Sequence, residues 1–381
     1  MLLIKNAQVY SPKFLGKKDI LVEGEKISLI DDSINLNVPN LHVIDATGCV
    51  LTPGFIDKHV HITGGGGEGG FSSRAPEIGL SKLIEGGITT VVGLLGTDGT
   101  TRCVENLVAK AYALREEGVS CYAHTGAYEL PVPTLTGSIQ KDIVFIDPII
   151  GIKLAISDHR ASSVTRDELA RVAGLGRVSG MIGKKSGHVT LHVGDGKKGL
   201  GLIYDVLNEY DTPITLFQPT HVNRNPKLFE EGKQFLRDGG YVDLTCYSPS
   251  RFTPVKAYKE LKSEDIPLDK LTFSSDGYGS FSNYDKDGNL LNMGVATVKA
   301  LYYEFLEFMK AGYKIEEVLP FITSNVAKSI GLGKIKGQIL PNYDADILIL
   351  DKDFDIKFVI AKGKVLKDDK GYIKQGNYEQ I

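Results

Sequence analysis

Pro53–His61 reads PGFIDKHVH, an apolar run that closes on two histidines at positions i and i+2. Side chains alternate along a strand, so His59 and His61 leave the same face of it. Seven further apolar, β-rich runs follow, and with Gly54–Ile62 they make eight: Thr89–Leu95, Val119–Thr125, Ile149–Ile156, His188–Val193, Pro213–Thr220, Val242–Tyr247 and Leu271–Ser275. Between them lie helical segments such as Val104–Glu117, Arg166–Leu175, Leu200–Glu209 and Lys227–Arg237, with Val295–Met309 after the last. Alternation repeated eight times predicts an α/β chain whose residues 54–336 form a (β/α)8 TIM-like barrel rather than an open doubly wound sheet. The run GGGGEGG (Gly64–Gly70) lacks the helix entry of a dinucleotide fingerprint.

The two ends have a different texture. Leu2–Val9, Asp19–Val22, Lys26–Ile30 and His42–Ile44 read as short strands broken by Gly and Asn, and Ala345–Leu350, Ile356–Ile360 and Lys364–Leu366 repeat the pattern. Neither end is self-sufficient, so residues 1–53 and 337–381 are expected to build one small β-sandwich domain together.

Bulk properties narrow the function classes. At 381 residues the chain exceeds one ordinary core, and 42% apolar with 24% charged residues suits a globular enzyme. Net charge is −3 and no Lys/Arg block stands out, which argues against nucleic-acid or membrane partners and for a small one. Cys49, Cys103, Cys121 and Cys246 are far apart and form no CxxC pair, so neither disulfides nor a thiolate zinc site is expected. The N-terminus turns polar by Lys5, and no run is long enough to span a bilayer, so the expected location is the cytoplasm.

The chemistry-bearing residues collect at one end of the expected barrel. His59 and His61 close the first run, Lys153 lies in the fourth, His192 closes the fifth, His221 follows the sixth and Asp276 follows the eighth. Those are strand C-terminal ends, where barrels of this kind carry active sites. Four of the eight histidines stand there. Imidazoles with a carboxylate suit Zn²⁺, with Mn²⁺, Co²⁺ or Fe²⁺ as alternatives. Lys153 reads in two ways: a side chain that snorkels to water, or a neutral amine that adds CO₂ to give a carbamate able to bridge two cations.

PGFIDKHVH resembles the opening signature of the amidohydrolase superfamily, and nearly the whole chain resembles its bacterial isoaspartyl dipeptidase family. The resemblance is carried by GGGGEGG (Gly64–Gly70), VVGLLGTD (Val91–Asp98), TGAYELP (Thr125–Pro131), KLAISDHR (Lys153–Arg160), PTHVNRN (Pro219–Asn225) and SSDGYGS (Ser274–Ser280). It implies two Zn²⁺ per chain. His59 and His61 would bind one and His192 and His221 the other, with Lys153 as bridging carbamate and Asp276 on the first metal. It also implies that Asp276 shuttles protons, that Tyr128 donates to the developing oxyanion, and that Glu68, Thr97, Arg160, Arg224 and Ser280 touch a small dipeptide substrate. A homo-oligomer, with an octamer as candidate, comes from the same resemblance.

Each contact residue also has an ordinary reading, as a solvated loop charge for Glu68, a surface ion pair for either arginine and a half-buried aromatic for Tyr128. His42, His124, His159 and His188 read as structural. Two other functions stand beside hydrolysis of β-aspartyl dipeptides. A cyclic-amide hydrolase of the dihydroorotase or hydantoinase type would share the metals but need no acid for a free ammonium, so Glu68 discriminates. A metal-free scaffold on the same fold should have lost ligands, and all six are present.

Overall fold

The computed structural model describes residues 1–246, 252–285 and 289–379. Eight parallel strands run through its middle: β1 (Phe55–Val60), β2 (Ile88–Gly93), β3 (Ser120–Gly126), β4 (Ile149–Ile156), β5 (His188–Val193), β6 (Phe217–Thr220), β7 (Val242–Thr245) and β8 (Leu271–Ser274). β1 to β6 pair in succession as one parallel sheet, and β7 pairs with β8. The sheet is curled and its seams meet. Val222 N donates to Asp243 O at 3.3 Å, while His61 N donates to Gly277 O at 2.9 Å beside a parallel bridge between Val60 and Gly277. The arrangement is that of the expected barrel.

All eight residues of β4 are buried, as befits a strand covered by helices outside and by neighbouring strands' side chains inside. The inward residues are largely polar, whereas Ile149, Leu154, Val189, Leu191 and Phe273 belong to the apolar layer under the helices.

The sequence misplaces some boundaries. The sixth strand begins at Phe217 because Ile214–Leu216 forms a 3₁₀ turn behind Pro213. Arg166–Leu175 continues to Gly183, started by a capping box between Thr165 and Glu168. Gly176, just past the expected end, is a contact point: a Cβ on it would lie 2.5 Å from the Gly187 carbonyl oxygen. The last helix is Ala300–Lys310, not Val295–Met309, because Leu290–Val295 pairs antiparallel with Ser280–Tyr284. Asp285 and Asn289 bond to each other through backbone and side chain and favour that hairpin. Tyr247, expected at the end of the seventh run, lies outside the described residues.

Both chain ends join one nine-stranded sheet. Val50–Pro53 is its junction, parallel to Leu2–Tyr10 on one side and antiparallel to Ile347–Leu350 on the other. Ile4, Val9, Ile20, Leu51, Ile347 and Ile360 share the core beneath it. Fully buried Lys336 ties this sheet to the barrel's floor, 2.7 Å from Asp344 and 2.6 Å from Asp346. No helix among the described residues is long and apolar enough to cross a membrane.

Candidate active site

The expected ligands converge where the strands end. His59 Nε2 stands 3.5 Å and His61 Nε2 3.2 Å from Asp276 Oδ1, and Lys153 Nζ is 3.2 Å from His59 Nε2. Ligand atoms of His59, His221 and Asp276 all lie within 4.8 Å of one another. Two of these residues sit just past their strands in the left-handed region, His221 at φ 63° and Asp276 at φ 53°. Such backbone costs about 1–3 kcal/mol per residue and persists only where its surroundings enforce it. Thr245 Oγ1, 2.7 Å from Nδ1, fixes the His221 ring.

His192 sits apart from that trio. Its ring centroid is 4.8 Å from that of His221, but Nε2 is 2.7 Å from Asp158 Oδ2 and Nδ1 meets the Tyr128 hydroxyl.

The electrostatics favour the protonation states that could bind a cation. Burial pushes His59, His192 and His221 well below the usual histidine range, and for His59 the charge of Lys153 adds to it. Neutral imidazole is the form a cation needs. Burial likewise pushes the Lys153 amine down to about 7, although Asp276 and Asp243 pull the other way. For Asp276 burial acts upward, but His221 and His61 outweigh it and hold the carboxyl at about 2. The buried Nδ1 atoms of His59 and His61 have no hydrogen-bond partner among the described residues. Neutral nitrogens, an ionised carboxylate and a deprotonable lysine in one pocket fit a divalent centre.

The expected substrate contacts line the same cavity, of about 910 Å³, with Tyr128, Glu68, Thr97, Arg160, Arg224 and Ser280 among its walls. Glu68 is not a solvated loop charge. Its carboxylate accepts from Thr97 Oγ1 at 3.1 Å, Ser280 Oγ at 3.0 Å and Arg160 at 3.3 Å. Arg224 is looser, 3.9 Å from Asp195, and its buried Nε finds no hydrogen-bond partner among the described residues. Burial pushes the Tyr128 phenol up, which keeps it a donor at neutral pH.

Residues that sequence reasoning passed over also build the site. Asp158, inside the quoted KLAISDHR, contacts both His192 and Arg160. Buried Arg102 donates to the carbonyls of Thr63, Gly65 and Ala75 and so holds the base of the glycine-rich loop. Below the expected ligands, Asp243 accepts from Thr220, Thr272 and Ser274, and Asp57 from Ser275. Of the remaining histidines, His124 and His188 are buried edge to face with centroids 4.8 Å apart, while His42 is exposed.

Residues 50–366 match the Amidohydrolase family. A β-aspartyl dipeptidase from Fervidobacterium islandicum AW-1, solved in complex with β-Asp-Leu dipeptide, is 43% identical over 99% of this chain and 98% of that one, with a TM-score of 0.95. Dihydropyrimidinase from Brevibacillus agri NCHU1002 shares the fold at 17% identity and a TM-score of 0.69, over 98% of this chain and 96% of that one. Among curated proteins, a Staphylococcus epidermidis dihydroorotase is 36% identical over 107 residues, 28% of this chain and only 24% of that enzyme. An Aquifex aeolicus dihydroorotase is 29% identical across 92% of this chain and 89% of its own length.

Proposed function

Since this chain belongs to the amidohydrolase family, we propose that it is a hydrolase of β-aspartyl (isoaspartyl) dipeptides working with two divalent cations, zinc foremost. His59, His61, His192, His221 and Asp276 would hold the cations, and Lys153, as a CO₂-derived carbamate, would bridge them. Residues 54–336 serve as the catalytic barrel, and 1–53 with 337–381 as a small β-sandwich domain. The protein is read as a cytoplasmic homo-oligomer, an octamer by family resemblance, that takes a small dipeptide and neither nucleic acid nor membrane.

The observation that carries the substrate is Glu68, an acid anchored by Thr97, Ser280 and Arg160 on the wall of the cavity that holds Asp276. A cyclic amide has no ammonium to offer it. A β-aspartyl dipeptide has an α-ammonium for Glu68 and two carboxylates for Arg160 and Arg224. The choice of a β-aspartyl dipeptide as substrate is supported by the β-Asp-Leu complex of the Fervidobacterium enzyme. A scaffold protein would have no use for six converging ligand groups.

Bound cations would supply Lewis acidity and a water acidified enough to attack at neutral pH. The chain's own groups do the rest. Asp276, ionised and aimed into the cavity, takes a proton and hands it to the leaving amine. Tyr128 donates its hydroxyl hydrogen to the carbonyl oxygen as negative charge grows there. Glu68 and the arginines hold the scissile bond in register, which removes a large entropic part of the barrier.

Gently purified protein is expected to contain about two metal ions per chain, as the two ligand groups sharing Lys153 require. Metal analysis before and after chelation checks this, and a content near zero that added zinc cannot raise would defeat the two-cation reading.

Substrate choice is tested with β-Asp-Leu, α-Asp-Leu and dihydroorotate side by side. In the α-linked peptide the ammonium and free carboxylate lie elsewhere relative to the bond, so the fixed charges present the wrong carbonyl. The β-linked peptide should win by about a hundredfold in kcat/KM. Glu68→Gln should weaken its turnover, and so should N-acetylation of the substrate. Equal rates on the two peptides, or faster turnover of dihydroorotate, would overturn the assignment and leave the metal hydrolase standing.

A further inference from the structure

Asp158 is the group at which the two halves of the site meet. Its side chain is 3% exposed. One oxygen, Oδ2, receives both His192 Nε2 at 2.7 Å and Arg160 NH2 at 2.8 Å. The other, Oδ1, receives Arg160 Nε at 2.9 Å and the Arg160 backbone N–H at 2.8 Å, with the exposed ring of His159 3.6 Å away. A carboxylate that accepts from Nε2 requires the hydrogen there, which leaves Nδ1 of His192 without one and accepting from the Tyr128 hydroxyl in the cavity. The same carboxylate grips the guanidinium in the two-point fork that best fixes its plane.

The backbone is built around this placement. Ser157, at φ 53°, turns the chain after β4 so that Asp158 swings toward β5. Its carbonyl receives Gly196 N at 2.6 Å and its hydroxyl receives Gly199 N at 2.9 Å. Opposite, Gly194 leaves the room Asp158 occupies: a Cβ there would lie 2.5 Å from the Asp158 Cβ.

We propose that Asp158 is a positioning residue serving metal and substrate together: it holds His192 with an unprotonated Nδ1 turned into the cavity, where a cation would replace the Tyr128 hydroxyl as its partner, and holds Arg160 over the cavity for a substrate carboxylate. This rests on the proposed function. A carboxylate behind a liganding histidine fixes its tautomer and raises its donor strength, and losing one commonly costs about 10–100-fold in metal affinity. Here the same loss also frees the arginine, so one substitution strikes two properties that otherwise have separate residues.

The experiment compares Asp158→Asn and Arg160→Met with the wild-type metal-loaded protein, reading zinc retention against a chelator and, separately, KM for β-Asp-Leu. Asp158→Asn should lose zinc about 10–100-fold more readily and raise KM. Arg160→Met should raise KM and keep zinc retention within about threefold of wild type, because the His192 contact survives. Asp158→Asn with wild-type retention, or with wild-type KM, overturns the shared role. A residue needed only for folding would lower Tm without changing zinc retention well below the transition. Should the variant not fold, a crystal structure of metal-loaded wild type decides the point. The cation belongs on Nδ1 of His192 with Asp158 still bonded to Nε2, and a cation on Nε2 refutes the proposal. If wild type itself fails to cleave β-Asp-Leu, the substrate reading falls, while zinc retention still judges the His192 half.

Discussion

Lys153→Ala should lose more than about a thousandfold in kcat/KM, and a short carboxylic acid added to the variant should restore part of it. The loss should exceed the 10–100-fold typical of groups that only support a ligand. Lys153 has no exposed surface and lies 3.2 Å from His59 Nε2, and burial brings its amine down to about 7. An ammonium there would repel any cation, and a neutral amine offers one weak donor. A carbamate supplies two anionic oxygens where the added acid could sit. Steady-state kinetics with and without acetate or propionate, alongside metal content, makes the check. Full activity in Lys153→Ala would return the lysine to a structural role.

Asp276→Asn should keep the fold and lower kcat by about 10²–10⁴-fold, the usual worth of a positioned general acid and base. The amide keeps the shape and one acceptor but cannot carry the proton from water to the leaving amine. KM should change far less than kcat, because Glu68, Arg160 and Arg224 remain. Near wild-type kcat in a variant with normal metal content would mean that some other group moves the proton.

Both residues are legible in the sequence, and for the same reason. Barrel strands buried on both faces show as unbroken apolar runs, so a Lys after Ile149, Ile150 and Ile152, or an Asp right after Leu271–Ser275, stands out against its background. The histidines are legible by position too. Asp158 is not, because it lies two residues past the end of its apolar run, in a polar turn where an acid is unremarkable. Only the left-handed Ser157 and the gap at Gly194 give it its direction, and neither is visible as a pattern. Glu68 was singled out as a partner for an ammonium, but its packing against Arg160 depends on two loops about 90 residues apart. The helix from Arg166 runs past the expected Leu175 to Gly183, with Gly176 packed against the Gly187 carbonyl, and Val295 departs from expectation because an apolar residue in a hairpin looks like the first turn of a helix.

The sheet made from both ends bears on how the chain matures as it leaves the ribosome. Val50 and Leu350 are register partners about 300 residues apart. At about 5–20 residues per second, the first waits about 15–60 s for the second to be synthesised. During that interval the open edge of Val50–Pro53, Leu51 included, is a free template for any other nascent strand. Expression at lower temperature or with a holdase present should therefore raise soluble yield more than it raises the specific activity of the protein that does fold.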